Sequence, residues 1–347
     1  MTTIPTPRKP WAATPRDRIR DLAILIGALV FTYYFVEVTP MNGKLAYFSV
    51  FFLVYATFSG TFQGIKRGSA AAKDAIVNSI VVVGAVATLI PIGSILATVI
   101  SKGYKGISFN LFTTDMSMAT PTDPLTNGGI LHAISGTLIM VLIALIISVP
   151  LGILTALYMT EIKGRFMRPI KFLVQAMSGV PSVVAGLFIL SAILYPITKS
   201  FSGLMGALAL SILMIPTIAR TSEEVLLLIP SDLREAGVAL GGTQWRTVAM
   251  IVLPAARSGL ITAMILGVAR IAGETAPLLL LTGGGDKVNG NPFSGPFGSL
   301  PYYIWKSFNS GSEEAITRAW AGLLVLIVII LILFISARSL SSRKVKR

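Results

Sequence analysis

Two oppositely charged residues, Arg270 and Glu274, lie inside an otherwise apolar run, about residues 260–281. If that run is one helix, residues four apart share a face. A charge near the bilayer centre costs about 2.5–3.5 kcal/mol on insertion scales, so it usually faces protein or a water-filled cavity. A guanidinium presents a planar fork of donors to an oxyanion, and a carboxylate can hold that fork. The pair predicts an anion path, with a purely structural ion pair as the alternative.

Two further residues are candidates for the same path. Arg220 lies at the inner end of the preceding apolar run, 204–218, where it could supply a second station for an anion. An arginine at that place can also extend its charge to the membrane surface without a transport role. We assign Thr275, which directly follows Glu274, to the path as well.

The composition is that of an integral membrane protein. Of the 347 residues, 54% are hydrophobic and only 13% are charged, and the mean hydropathy is +0.78. A bilayer core about 30 Å thick needs about 20 residues of helix, and several separate apolar runs approach that length. The absence of Cys excludes disulfides, thiolate metal sites and cysteine nucleophiles. We expect an all-α membrane protein with no metal, no cofactor and no catalytic residue.

Apolar runs predict about eight transmembrane helices. Pro91 should kink or locally break the third, and Pro181, among small residues, should let the fifth bend. The eight predicted spans are residues 22–38, 45–62, 76–100, 130–158, 172–197, 204–218, 260–281 and 320–335.

The net charge of +14 has a topological explanation. The 29 Lys and Arg residues cluster mainly in alternate loops, which is the distribution of the positive-inside rule. Nucleic-acid binding is therefore not expected, although a soluble protein with this charge would suggest it. The pattern predicts a multi-pass protein of the plasma membrane, in contact with lipid, with both termini on the cytoplasmic side.

A polar segment between the sixth and seventh spans should form two short helices. We expect Ser231 to cap the first helix, the Gly241–Gly242 pair to end it, and Thr243 to cap the second. Glycine reaches positive φ without a Cβ clash, so the chain can turn sharply there. Two short helices that meet at a glycine make a compact knob suited to a groove on another protein.

The residue order in this segment, Glu235–Pro254, resembles the EAA loop of ABC importer permeases; we call it the EAA motif. The family usually has alanine at the third position, where this chain has Gly237, another small residue. The resemblance implies docking of an ATPase subunit, and the alternative is an amphipathic helix pair without a partner. The implied docking residues are Glu235, Ala236, Gly237, Gly241, Leu253 and Pro254.

Two further stretches narrow the resemblance. RIAGETAPLLL at 270–280 and IARTSEE at 218–224 resemble the A-type subunit of phosphate-specific ABC permeases, and the likeness runs from about Ile76 to the C-terminus. It implies an ABC importer type-1 permease that forms half of a path for inorganic phosphate. The implied partners are a paralogous C-type permease, two ATPase subunits and an extracytoplasmic phosphate-binding protein.

The resemblance also suggests a division of the chain. Such permeases commonly have six spans, so residues 1–75 would hold the N-terminus and an accessory two-helix hairpin. Residues 76–347 would form the six-helix core, with a cytoplasmic coupling loop at 219–256.

Two other functions stay open. One is a permease for another oxyanion such as sulfate, molybdate or phosphonate. The other is a membrane enzyme acting on lipid phosphates, with Arg270 as phosphate clamp and Glu274 as general acid or base. The chain has no GxxxxGK[ST] sequence, so we expect it not to be an enzyme and ATP hydrolysis to belong to a partner.

Overall fold

The computed structural model describes the backbone of residues 15–41 and 43–342. This described part contains helices and loops and no strand. Seven of its helices are long and apolar enough to cross a membrane, or eight if one bent pair counts as a span. The prediction of an all-α membrane protein with about eight spans is confirmed. The predicted cytoplasmic position of the two chain ends concerns residues outside the described ranges.

Fourteen α-helices are present in the described residues, with π-helical turns at 158–162, 190–198 and 248–252. They are α1 (Pro15–Val38), α2 (Lys44–Arg67), α3 (Ser69–Gly103), α4 (Phe109–Thr113), α5 (Leu131–Leu157), α6 (Met167–Ser178), α7 (Ser182–Ile189), α8 (Gly203–Leu227), α9 (Ser231–Ala239), α10 (Gln244–Thr247), α11 (Leu253–Ile271), α12 (Ala276–Leu281), α13 (Leu300–Phe308) and α14 (Glu313–Ser342).

The chain divides into two compact units, one ending at Leu96 and the other beginning at Ala97, so the division falls within α3. In the first unit α1 and α2 form a hairpin, joined near its tip by a 2.8 Å hydrogen bond from the Tyr47 hydroxyl to Glu37. The helix α3 continues through Pro91, so the helix is not interrupted there. Proline removes only one backbone donor, and the other bonds of a 35-residue helix remain.

The second unit is built around the contact between α5 and α8. Small residues let these backbones approach: a Cβ on Gly152 would lie 2.7 Å from the Ile218 side chain, and one on Gly206 would lie 2.8 Å from the Met140 sulfur. Glycine at such contacts is a common device for close packing between membrane helices. Ile218 and Met140 are both fully buried, so this contact is the centre of the core.

The predicted fifth span, 172–197, is not a single straight helix. Residues 167–178 form α6, which is bent by 105° from the helix 182–198. Pro181 explains the break, because the residue before a proline is pushed out of the helical region and Pro181 itself is extended, with ψ 140°. The Lys171 side chain, on α6, donates to Glu223 of α8 at 2.8 Å.

The predicted seventh span, 260–281, is also interrupted. The helix α11 ends at Ile271, and α12 begins only at Ala276. Pro277 lies in the first turn of α12, where its missing N–H is tolerated but a continuous helix from α11 would have needed it. The sixth span, by contrast, is longer than predicted, since α8 continues through Arg220 and Glu223 to Leu227.

Two connecting segments, 104–130 and 282–312, are joined by hydrogen bonds. The backbone N–H of Val288 donates to the Asp115 carboxylate at 3.0 Å, and that of Met116 donates to the Asp286 carbonyl at 3.0 Å. Burial raises the pKa of Asp115, but hydrogen bonds from Ser117 and Val288 lower it by more, so the carboxyl pKa lies below its usual value. The carboxylate is therefore kept charged, which suits its role as an acceptor.

Arg318, near the start of α14, is the largest fully buried side chain of the described part and is 1% exposed. Its guanidinium donates to four backbone carbonyls, those of Pro121, Asp123, Pro124 and Asn127, at distances from 2.7 to 3.3 Å. Hydrogen bonds to a charged group each contribute about 1.5–3 kcal/mol. A single arginine thereby holds residues 121–127 in place.

We predict that Arg318→Met releases the loop 120–128, because methionine fills the space but offers no donor to the four carbonyls. The melting temperature of the purified protein should fall by several degrees, and hydrogen exchange should accelerate in residues 120–128. The matched control is Arg338→Met on the exposed part of the same helix. An equal change in both variants would contradict this role for Arg318.

Candidate functional site

The EAA motif begins in the short helix α9 and continues into α10, and these two helices form a pair. The predicted second short helix is not separate, because α10 runs through the π-helical turn 248–252 into α11 as one candidate membrane span, Gln244–Ile271. The helix α9 ends before Gly241, which has φ +83°, and α10 begins after Thr243. The Thr243 hydroxyl accepts from the Arg246 N–H at 3.3 Å, so this cap is confirmed. The predicted Ser231 cap is wrong: Pro230 occupies the N-cap position, and the Ser231 hydroxyl donates to Asp232 at 3.3 Å.

The packing around residue 237 explains why this chain has glycine where the EAA pattern usually has alanine. It is buried between α9 and the chain that follows α10, and a Cβ there would lie 2.6 Å from Thr247 Cγ2 and 2.8 Å from Ile251 Cδ1. Such distances are too short for a methyl group without movement of Thr247, whose branched side chain has little freedom. The missing methyl group at 237 therefore permits the close contact within the pair.

The other EAA residues differ in exposure. Glu235, Ala236, Gly241 and Pro254 are exposed, and Leu253 is half-buried. Gly241 has open space around the position of a Cβ, so its glycine is required by backbone conformation alone.

Several large apolar side chains, not identified from the sequence, are exposed on this pair. Leu240 is 87% exposed and Trp245 is 63% exposed, and Val238 and Leu233 on α9 are 56% and 41% exposed. Leu240 directly precedes the turn at Gly241, and Trp245 follows that turn in α10. Exposed apolar side chains grouped together are typical of protein interaction sites, and tryptophan is enriched in such contacts. The signal was present in the sequence as large apolar residues among the polar ones of this segment.

Arg270 and Glu274 are separated by the end of α11. Arg270 is exposed in its last turn, whereas Glu274 lies in the following break and is half-buried. In the described part of the chain, no carboxylate lies within 4 Å of the Arg270 guanidinium. The expected ion pair on one helix face is therefore wrong, because the four-residue spacing has meaning only in a continuous helix.

The break 272–275 lies at an intermediate depth. Gly267, one turn before it, packs against Met214 and Ile218 in the middle of α8. Thr275 ends the break, is half-buried, and donates to the Gly273 carbonyl at 3.5 Å. Beyond the break, Pro277 packs on Gly186 of α7. The polar residues of the break are therefore held between buried helices on both sides.

Arg220 has a different environment from Arg270. Its guanidinium donates to Glu223 at 3.0 Å, and Glu223, with its side chain 5% exposed, also accepts from Lys171. The Arg220 side chain is 40% exposed, so part of the guanidinium remains accessible. The structure thus gives Arg220 a carboxylate partner on its own helix, and Glu223 joins α6 to α8.

Comparisons with known proteins agree with this architecture. Residues 148–346 match the family of binding-protein-dependent transport system inner membrane components. The chain is 36% identical over 244 residues to the phosphate transport system permease protein PstA of Mycobacterium leprae, covering 70% of this chain and 80% of that protein. It is 38% identical over 255 residues to PstA of Pasteurella multocida, covering 73% and 88%.

A solved structure shares the fold. A chain of the MetNI methionine ABC transporter, in an inward-facing conformation, has a TM-score of 0.51 and 20% identity, covering 63% of this chain and 95% of that chain. The fold and the family match define a multi-pass permease component of a binding-protein-dependent transport system of the inner membrane. Within that class the chain belongs to the family of phosphate transport system permease proteins PstA. The resemblance noted in the sequence is thereby confirmed.

We predict that Gly241→Val disturbs the helix pair and Gly241→Asn does not. Valine is strained at φ +83°, at a cost of about 1–3 kcal/mol, whereas asparagine adopts positive φ more readily. Hydrogen exchange of residues 231–247 should accelerate in the valine variant and stay near the wild-type rate in the asparagine variant. Equal exchange in both variants would show that the conformation of Gly241 does not hold the pair together.

Proposed function

We propose that this chain is a transmembrane subunit of an ATP-driven ABC importer for inorganic phosphate and forms half of its translocation path. Membership of the PstA family supports this proposal, since the relatives are named phosphate transport system permeases. In the proposed complex a paralogous C-type permease supplies the other half of the path. An extracytoplasmic binding protein delivers phosphate from outside.

The EAA motif is proposed to dock one of two ATPase subunits. The observation that carries this proposal is the exposure of Leu240, Trp245 and Glu235 on a helix pair whose turn is set by Gly241. Apolar and aromatic side chains on a rigid knob supply contact area at low entropic cost. The chain itself has no GxxxxGK[ST] sequence, so ATP hydrolysis is assigned to the docked subunits.

The break 272–275 is proposed as the polar station of the path. Irregular backbone at membrane depth is tolerated where it is buried in protein or lines a water-filled cavity. Arg270 in the turn before the break and Thr275 at its end offer a guanidinium fork and a hydroxyl, from which a tetrahedral oxyanion can accept hydrogen bonds. Glu274 supplies the opposing charge that limits tight capture of the anion. Arg220, nearer the cytoplasmic end, is a second station.

The proposed topology places both termini and the loop 219–256 in the cytoplasm. The basic loops support this orientation through the positive-inside rule. We further propose that residues 1–75 hold an accessory hairpin and that residues 76–347 form the transport core. The aligned relatives cover between 70% and 74% of the chain, which leaves room for an accessory segment.

Reconstitution tests the proposed function directly. The chain should be purified with its associated subunits, inserted into lipid vesicles, and supplied with ATP and the binding protein. Uptake of labelled phosphate that requires ATP, with sulfate and molybdate as competing anions, is the expected result. Failure of an ATPase subunit to co-purify, or uptake of another oxyanion in preference to phosphate, would overturn the proposal.

We predict that Arg270→Gln abolishes transport but not assembly. Since Arg270 has no carboxylate partner within 4 Å in the described part of the chain, its removal breaks no ion pair there. Phosphate uptake should fall at least tenfold, while the yield and melting temperature of the complex stay near wild type. Arg270→Lys should restore uptake only in part, because lysine keeps the charge but loses the planar fork.

The control for this prediction is Arg257→Gln, which removes an exposed arginine from the cytoplasmic part of the same helix. It should leave uptake unchanged. If Arg270→Gln lowers complex yield as much as uptake, the arginine serves assembly, and its place on the path would be wrong.

We predict that deletion of residues 1–62 preserves transport. The deletion removes two spans, an even number, so the orientation of the remaining helices is unchanged. The hairpin offers an anion little, since the Tyr47 hydroxyl donates to Glu37, whose carboxylate repels anions. Uptake per assembled complex should stay within about twofold of wild type. Loss of uptake with a normally assembled complex would place the hairpin in the transport mechanism.

A further inference from the structure

An ion pair at the cytoplasmic end of α5 joins that helix to α9, the helix in which the EAA motif begins. Arg234 of α9 reaches the Glu161 carboxylate with Nε at 3.0 and 3.1 Å and with Nη2 at 2.8 Å. Glu161 lies in the π-helical turn that follows α5, and its side chain is 7% exposed. Two-pronged contacts of this kind fix geometry as well as charge.

The same guanidinium also donates hydrogen bonds to carbonyls at the C-terminal end of α8. Arg234 Nη1 donates to the Ile229 carbonyl at 2.6 Å, and Nη2 donates to the Leu226 carbonyl at 2.8 Å. The last carbonyls of a helix lack partners within it and carry the negative end of its dipole, so a cation is favoured there. Arg234 therefore contacts α5 and α8 from its own position on α9.

The second helix of the pair is also attached to Glu161. The Gln244 side chain, at the start of α10, donates to the Glu161 backbone carbonyl at 2.6 Å. Both helices of the EAA motif are thus anchored to one residue. We call the three residues Glu161, Arg234 and Gln244 the Glu161 latch.

The latch adds a connection that the chain path does not supply. By sequence, the EAA motif continues from α8 at one end and into α11 at the other. In contrast, α5 is separated from it by more than 70 positions along the chain. Yet α5 packs closely on α8, with Gly152 against Ile218 and the Ser148 hydroxyl 3.4 Å from the Ser211 carbonyl. A displacement of α9 that reached Glu161 would move α5 as well.

We infer that Glu161 and Arg234 are positioning residues that transmit movement of the docked ATPase to α5. The inference rests on the proposed docking role of the EAA motif. Without the latch, the motif would still be attached to α8 and α11 through the backbone. The motif would then lose its direct connection to the end of α5 and would reach α5 only through the packing of α5 on α8, and ATP hydrolysis would proceed with little transport.

The chemistry of the pair suggests the variants. Removing one partner of a buried ion pair leaves an uncompensated charge, whereas removing both avoids that penalty. Glu161→Gln and Arg234→Gln each break the latch, and the double variant tests whether the two residues act together. Arg234→Lys keeps a charge for Glu161 but cannot reach both carboxylate oxygens and two carbonyls at once. Arg257→Gln, outside the latch, is the matched control.

The experiment uses the assembled complex in lipid and has two readouts. The first is hydrogen exchange of residues 156–163 with and without ATP, which does not depend on the transported substrate. The second is the number of phosphate ions imported per ATP hydrolysed. In wild type and Arg257→Gln, ATP should change exchange in both the EAA motif and residues 156–163.

In Glu161→Gln the ATP response should persist in the EAA motif and disappear from residues 156–163. Phosphate imported per ATP should fall at least tenfold, with Arg234→Lys intermediate and the double variant no worse than the worse single one. If any assembled latch variant keeps both the wild-type exchange response and the wild-type number of phosphate ions imported per ATP, the inference is overturned. If Glu161→Gln does not assemble, Arg234→Lys and the double variant supply the same comparison.

The two proposals can fail separately. If wild type shows the ATP response at residues 156–163 but imports an anion other than phosphate, the substrate is wrong and the latch stands. If phosphate is imported while residues 156–163 show no response to ATP, the latch inference is overturned and the proposed function stands.

Discussion

The structure depends on one constraint, the requirement that backbone N–H and C=O groups within a membrane find hydrogen-bond partners. Long helices satisfy it along most of this chain. Two departures occur in the described residues, between α6 and α7 and between α11 and α12. Each lies at a Pro-containing stretch and against neighbouring helices. Of the polar residues proposed for transport, Glu274 and Thr275 lie in one of these two breaks and Arg270 lies in the helical turn before it, where an irregular backbone already requires a polar or protein-lined environment.

Buried carboxylates join helices that are distant in the sequence. Glu223 of α8 accepts from Lys171 of α6, and Glu161 at the end of α5 accepts from Arg234 of α9. Both carboxylate side chains are less than 10% exposed, so each depends on its cation for compensation. Arg318 performs the corresponding task at the start of α14, with backbone carbonyls as partners. Charge in this protein therefore sets the positions of helix ends and loops as well as topology.

The proposed docking and transport sites are separated in space and connected through packed helices. The EAA motif exposes Leu240 and Trp245, whereas the break after α11 lies between residues that pack on Met214 and on Gly206 of α8. Gly152 of α5 and Gly267 of α11 both lie in close contact with α8. These contacts leave little space for one helix to move without its neighbours. Movement at the cytoplasmic end is thus expected to reach the break through rigid displacement of helices. The Glu161 latch would bring α5 into that displacement.

The sequence alone determined the membrane class, the number of spans, the helix pair and the family, because hydrophobic length, basic loops and glycine punctuation are local signals. It could not determine that Arg270 and Glu274 are separated by a helix end, since apolar residues continue on both sides of the break. Nor could it find the partners of Glu161 or Arg318, which lie from 73 to 197 positions away in the sequence. Those pairings exist only because tertiary packing brings distant helix ends together, where burial makes an unpartnered charge too unfavourable to persist.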